Sequence, residues 1–159
     1  LQGSVYFIIQ SWRQTGPCLR ACISNFCKPG LAYELALAIF EPELVWMKSP
    51  VKAGISDLAI YKSGLKEKIP AGKKAITDNG YRDKSDSKLA PPNSHDAKEL
   101  RTFKARARMR QETFNGRIKN FDCLSDLFRH GIERHETCFE AICVILCYEM
   151  ELVSPLFVV

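Results

Sequence analysis

No aspartate occurs in the first 56 residues of this 159-residue chain. Any carboxylate cluster built on aspartate must therefore draw on Asp57 or later residues. Long apolar runs are also missing. Val5–Ile9 and Ala141–Cys147 fit a strand and part of a buried helix, and no apolar run approaches the ~20 residues of a bilayer crossing. A basic segment followed by an apolar one, the mark of a secretory signal, is absent too. The chain opens on Leu1, and residues 1–26 are expected to be a truncated or degenerate start of one domain spanning 1–159. The seven cysteines are odd in number and irregular in spacing, which argues against a disulfide framework and for a reducing compartment, nucleus or cytoplasm. There is no Cys-x-x-Cys pair and no phosphate-cradling glycine loop. No membrane association is expected.

What is present is charge, unevenly spread. Residues 1–60 carry net +1, residues 61–120 carry net +9, and residues 121–159 carry net −5. The central excess suits a polyanionic partner such as DNA, and it equally suits a solvated lysine-rich face.

Strand-forming residues at Val5–Ile9 lie ahead of turn signals at Gly16-Pro17 and Pro29-Gly30. Leu31–Phe40 and Leu44–Met47 flank the short turn Glu41-Pro42-Glu43, and this arrangement predicts a hairpin. Ser56 is an N-cap candidate for a helix reaching about Leu65. Lys73–Thr77 predicts a short strand ending at Asp78, and residues 82–93 a loop with one brief extended piece near Leu89. Asn93 or Ser94 should cap a long helix with an apolar stripe of Leu100, Phe103, Ala107, Phe114, Ile118 and Phe121. A last helix is expected over Glu133–Glu149. This order predicts an α/β or α+β layered domain.

An acid at the end of a strand is where open α/β sheets place ligands, so Asp78 is a candidate site residue. Glu112, 34 positions later, sits on a helix crowded with arginine. Carboxylates in a cluster can hold paired Mg²⁺ ions that clamp the attacking and leaving oxygens of a phosphodiester. At 100° per residue, however, Glu112 lies about 140° from the midline of the apolar stripe, pointing away from the core.

Two motifs resemble the Harbinger-type DDE transposases. Ile76-Thr77-Asp78-Asn79-Gly80-Tyr81-Arg82 is similar to that family's second-carboxylate motif, and Arg110-Gln111-Glu112-Thr113-Phe114-Asn115-Gly116-Arg117-Ile118-Lys119 to its third. Gly54–Tyr61 and the stretch from Phe128 to Phe157 are also similar, so the resemblance covers roughly residues 27–157. It implies an RNase H-like mixed sheet with packed helices, N-terminally incomplete. It also implies Mg²⁺-dependent DNA strand cleavage and transfer with Asp78 and Glu112 as catalytic metal ligands. Such a transposase works on DNA alongside a separate DNA-recognition partner protein. The family's first carboxylate is an aspartate followed by Gly-Thr; counting back from the hairpin places Tyr6 there. A phenol cannot bridge two metal ions, so cleavage is expected to be impaired. The alternatives are a non-catalytic DNA- or protein-binding derivative and a decayed element copy.

Candidate DNA-contacting residues are Arg101, Lys104, Arg106, Arg108, Arg110, Arg117 and Lys119. They point in several directions along a helix and cannot all line one groove. His130, His135 and Cys138 lack zinc-ligand spacing and are expected to cap or pack.

Overall fold

The structure, a computed structural model, describes residues 6–15, 30–125, 128 and 130–159. The turn signals at Gly16-Pro17, together with Cys18, Cys22 and Cys27, lie outside the described residues.

A five-stranded mixed sheet forms the centre, in the order β3-β2-β1-β4-β5. Strand β1 (Tyr6–Thr15) pairs antiparallel with β2 (Gly30–Ala38), and β2 pairs antiparallel with β3 (Leu44–Lys52). On its other side β1 runs parallel to β4 (Lys74–Thr77), which runs parallel to the two-residue β5 (Leu89–Ala90). The predicted hairpin is β2–β3. Eight of the nine β2 residues are buried, as a strand covered on both faces requires.

Alternation along β2 divides the core. Leu31, Tyr33, Leu35 and Leu37 pack against Phe114 and Ile118 of α3 (Lys98–Ile118) and against Phe139, Ile142, Leu146 and Met150 of α5 (Ile132–Leu152). Ala36 and Ala75 face the opposite layer, where Tyr61 of α1 (Asp57–Lys62), Leu65 of α2 (Leu65–Lys68) and Tyr81 close the core. Ala107 of α3 sits over Ile8 and Ile76, near the middle of the sheet. A single turn, α4 (Asp122–Ser125), leads towards α5.

Ser56 caps α1 as predicted, accepting the Ala59 amide at 3.3 Å. The start of α3 differs from expectation. It begins at Lys98, because the Asn93 side chain accepts the His95 amide at 3.0 Å in a local turn. Asp96 turns to meet Lys104 at 2.7 Å. From Lys98 the Glu, Arg, Ala and Gln residues carry the helix unbroken past Gly116. Among the described residues no helix is long and apolar enough to cross a membrane.

Candidate functional site at the end of β4

Strand β4 delivers Asp78 to the carboxyl edge of the parallel part of the sheet. Asp78 then caps a 3-10 turn over Asn79–Tyr81, with its Oδ1 accepting the Gly80 amide at 2.8 Å. The buried Tyr81 ring anchors that turn by packing edge-on against Tyr61. The turn is therefore held from below, and the Asp78 carboxylate is held from above by a backbone donor.

Glu112, exposed on α3, acts on this carboxylate through its charge. Burial is the chief cause that holds the Asp78 carboxyl above its ordinary range. The charges of Asp57 and Glu112 raise it further, while the Gly80 amide and Arg108 oppose them. Arg108 lies one turn before Glu112, so α3 presents a cation and an anion side by side to Asp78. The angular argument from the apolar stripe placed Glu112 far from the core. That is true of the side chain, which is exposed. Asp78 stands just past the end of β4, within electrostatic range of Glu112.

Sequence reasoning missed Asp57. It occupies the first turn of α1, and its carboxylate takes the Arg13 guanidinium of β1. Arg13 also donates to the Ala53 carbonyl and, at 3.1 Å, to the Ile55 carbonyl. The other Asp57 oxygen leans over Gly80. A Cβ at that glycine would sit 2.7 Å from Asp57 Oδ2 and 3.1 Å from Asp78 Oδ1. A side chain at 80 would thus collide with two carboxylates, which gives a physical reason for glycine there. The signal available in the sequence was the Asp57–Gly80 pairing, which only the three-dimensional placement of α1 makes visible.

The residue of β1 that lies level with Asp78 is not Tyr6. In the β1–β4 register Tyr6 stands opposite Lys74 and Ile9 opposite Thr77. The next residues along each strand, Gln10 and Asp78, are therefore level. Tyr6 lies four residues away along the strand direction, about 13 Å at ~3.3 Å per residue.

A two-metal site needs a carboxylate set that reaches both ions. Asp78 and Glu112 supply two groups, and Asp57 is engaged by Arg13. Among the described residues no group of three or more His, Cys, Asp or Glu is arranged to hold a metal ion. The side chains present therefore do not fit a complete two-metal site.

The seven basic residues separate into two kinds. Lys104 is buried against Asp96 and the Pro91 carbonyl. Arg110 is buried, donating to Phe157 O at 2.7 Å and Glu41 O at 2.9 Å. Arg117 donates to Ser154 O at 2.7 Å and pairs with Glu149. Arg106 donates to Val158 O at 2.7 Å from an exposed position. These four tie α3 to neighbouring segments. Arg101, Arg108 and Lys119 form no ion pair among the described residues. Arg101 and Arg108 line a cavity of about 430 Å³ beside Asn79.

His135 is a core residue: its Nδ1 lies 2.7 Å from the Tyr33 hydroxyl, and burial lowers its pKa. The thiols of Cys138 and Cys123 lie 3.5 Å apart.

Compared with protein families, with curated proteins and with solved structures, the chain matches none.

Proposed function

We propose that this chain is a transposase-derived DDE endonuclease-like domain of RNase H-like architecture. It engages DNA at the end of β4, and its strand cleavage is impaired. The observation that carries the reading is that Asp78, at the carboxyl end of a parallel strand, lies within electrostatic reach of Glu112, the second motif residue 34 positions on. Further support comes from a mixed sheet in which an antiparallel three-strand unit is extended by two parallel strands. In active relatives the two carboxylates would hold Mg²⁺ or another divalent ion. Here Gln10 stands level with Asp78, where this reading expects the family's first carboxylate. DNA is the partner this reading assigns, with a separate recognition protein supplying sequence choice, in the nucleus or cytoplasm.

The test is a nicking assay on supercoiled plasmid with Mg²⁺ or Mn²⁺. The purified chain should convert no more substrate than its Asp78→Ala variant. Vigorous cutting that Asp78→Ala abolishes would overturn the impairment, and failure to retain plasmid at low salt would overturn the DNA reading. A second reading, a protein-binding derivative, is favoured by one feature. Val144, Ile145, Tyr148 and Leu152 form an apolar stripe on the outer face of α5, each more than half exposed.

A further inference from the structure

The cavity beside Asn79 is walled by three segments: the turn after β4, the loop over residues 92–96, and the first half of α3. Its volume, about 430 Å³, falls in the range of roughly 300–1,000 Å³ of sites that enclose small organic ligands. The charge of its lining is one-sided. Asp96 is the sole acid there, and its Oδ2 is taken by Lys104 Nζ at 2.7 Å. Lys104 spends a further proton on Pro91 O at 2.9 Å. That pair is internally neutral and forms a fixed floor.

Three guanidinium groups remain, those of Arg82, Arg101 and Arg108. Among the described residues none of them is paired with a carboxylate. The Nε of Arg108 makes only a long contact of 3.4 Å with Lys104 O. Arginines without an ion-pair partner on a concave wall concentrate positive potential, and the guanidinium fork matches a phosphate in two-point geometry. A bare phosphate would leave most of the volume empty. The rest of the wall offers Pro92 and Ala105 as apolar contacts and Asn79 and Asn93 as amide donors and acceptors, which suits a nucleobase and sugar.

We infer that this cavity is a binding site for a nucleotide carrying a terminal phosphate, held by Arg82, Arg101 and Arg108. Free nucleotide and the phosphorylated end of a nucleic-acid strand share that chemistry. The strand end follows only from the DNA reading proposed above. The phosphate follows from the cavity's own charge. Arg108 belongs to both places, lining the cavity and acting on Asp78. A strand end seated in the cavity would thus continue past the Asp78 edge.

Calorimetric titration in EDTA tests this without any metal or cleavage. Three unlabelled deoxyhexamers of one sequence would be compared, with a 5′-phosphate, a 3′-phosphate or neither, and with dAMP as a fourth ligand. One of the phosphorylated hexamers should bind at least tenfold more tightly than the unphosphorylated one. Arg82→Ala/Arg101→Ala should abolish that difference while melting at the wild-type temperature. Arg134→Ala, on the outer surface of α5, should preserve it. Equal binding of all three hexamers, no binding of any ligand, or a difference that survives the double variant would each overturn the site. Binding of dAMP without gain from the attached strand would uphold the phosphate site and count against the DNA reading. Plasmid binding without a terminal-phosphate effect would do the reverse.

Discussion

Glu34 stands opposite Lys48 in the β2–β3 register, yet the Lys48 ammonium donates to Ser63 Oγ at 2.5 Å and Ile60 O at 3.3 Å instead. The Glu34 carboxyl is fully buried, and among the described residues neither of its oxygens has a hydrogen-bond partner. The Trp46 indole N–H is turned toward this carboxylate in a geometry too poor for a formed hydrogen bond, and so favours its charged form only weakly. This polar pocket lies between the sheet and α1, close to Asp57.

Burial pushes the Glu34 carboxyl up from 4.5 to about 7, with Trp46 and Lys48 pulling it back only in part and Asp57 adding to the rise. The folded chain therefore holds a proton that the unfolded chain releases between pH 4.5 and pH 7. Stability should fall as pH rises through that window and level off above it. At about 1.4 kcal/mol per pKa unit the loss is on the order of 3 kcal/mol. Urea unfolding at pH 5 and pH 8 should show this slope, and Glu34→Gln should flatten it. An unchanged slope in the variant would place the titration elsewhere. His135 works in the opposite sense, its lowered pKa costing stability as pH falls below about 6.5, so the variant is compared with wild type rather than with a flat line.

Arg110 is a structural clamp. Its two donors hold the carbonyls of Phe157 and Glu41, which brings the C-terminal segment and the β2–β3 turn onto α3. Charge-assisted bonds of this kind contribute about 1.5–3 kcal/mol each. Arg110→Ala should therefore lower stability by about 3 kcal/mol or more, and Arg110→Lys should recover little, because one ammonium cannot span both carbonyls. Arg101→Ala, on the same helix but exposed, should change the melting temperature by no more than a degree or two.

Sequence periodicity located the hairpin, the Ser56 cap, β4, Asp78 and both long helices because each depends on neighbours within a few residues. What it could not locate depends on pairing between distant segments. The length of β1 reflects its pairing with β2 along nine positions. The residue of β1 level with Asp78 depends on the β1–β4 register, which gives Gln10 rather than Tyr6. Asp57 read as part of a helix start because nothing local says that α1 will set it over Gly80. The basic residues of α3 read as candidate DNA contacts pointing in several directions, whereas Lys104, Arg106, Arg110 and Arg117 are taken up by other segments of the fold.

The register makes a specific claim about metal binding. Gln10→Asp should place a third carboxylate level with Asp78 and confer Mn²⁺ binding, seen as a rise in melting temperature of a few degrees in millimolar Mn²⁺. The gain should vanish in Gln10→Asp/Asp78→Ala. Tyr6→Asp, about 13 Å away along the strand at ~3.3 Å per residue, should confer nothing. Equal gains from both single changes would contradict the register argument.

Duplex binding should be carried by the cations that the fold leaves unpaired. Arg101, Arg108 and Lys119 form no ion pair among the described residues, whereas Arg117 is held by Ser154 and Glu149. Contact with three or four phosphates would give a log–log salt slope of roughly −3 to −4. Arg101→Ala/Arg108→Ala/Lys119→Ala should weaken binding to any duplex and bring the slope to about −1, since each lost contact removes about 0.9. Arg117→Ala should leave the slope as it was, whatever it does to stability. The outer shoulder of α3 offers phosphate contacts and no evident reader of base edges, so two unrelated duplexes should bind alike. A salt titration on both decides the matter. Absence of binding at ~50 mM salt would leave this helix a solvated surface and remove DNA from the function of the chain.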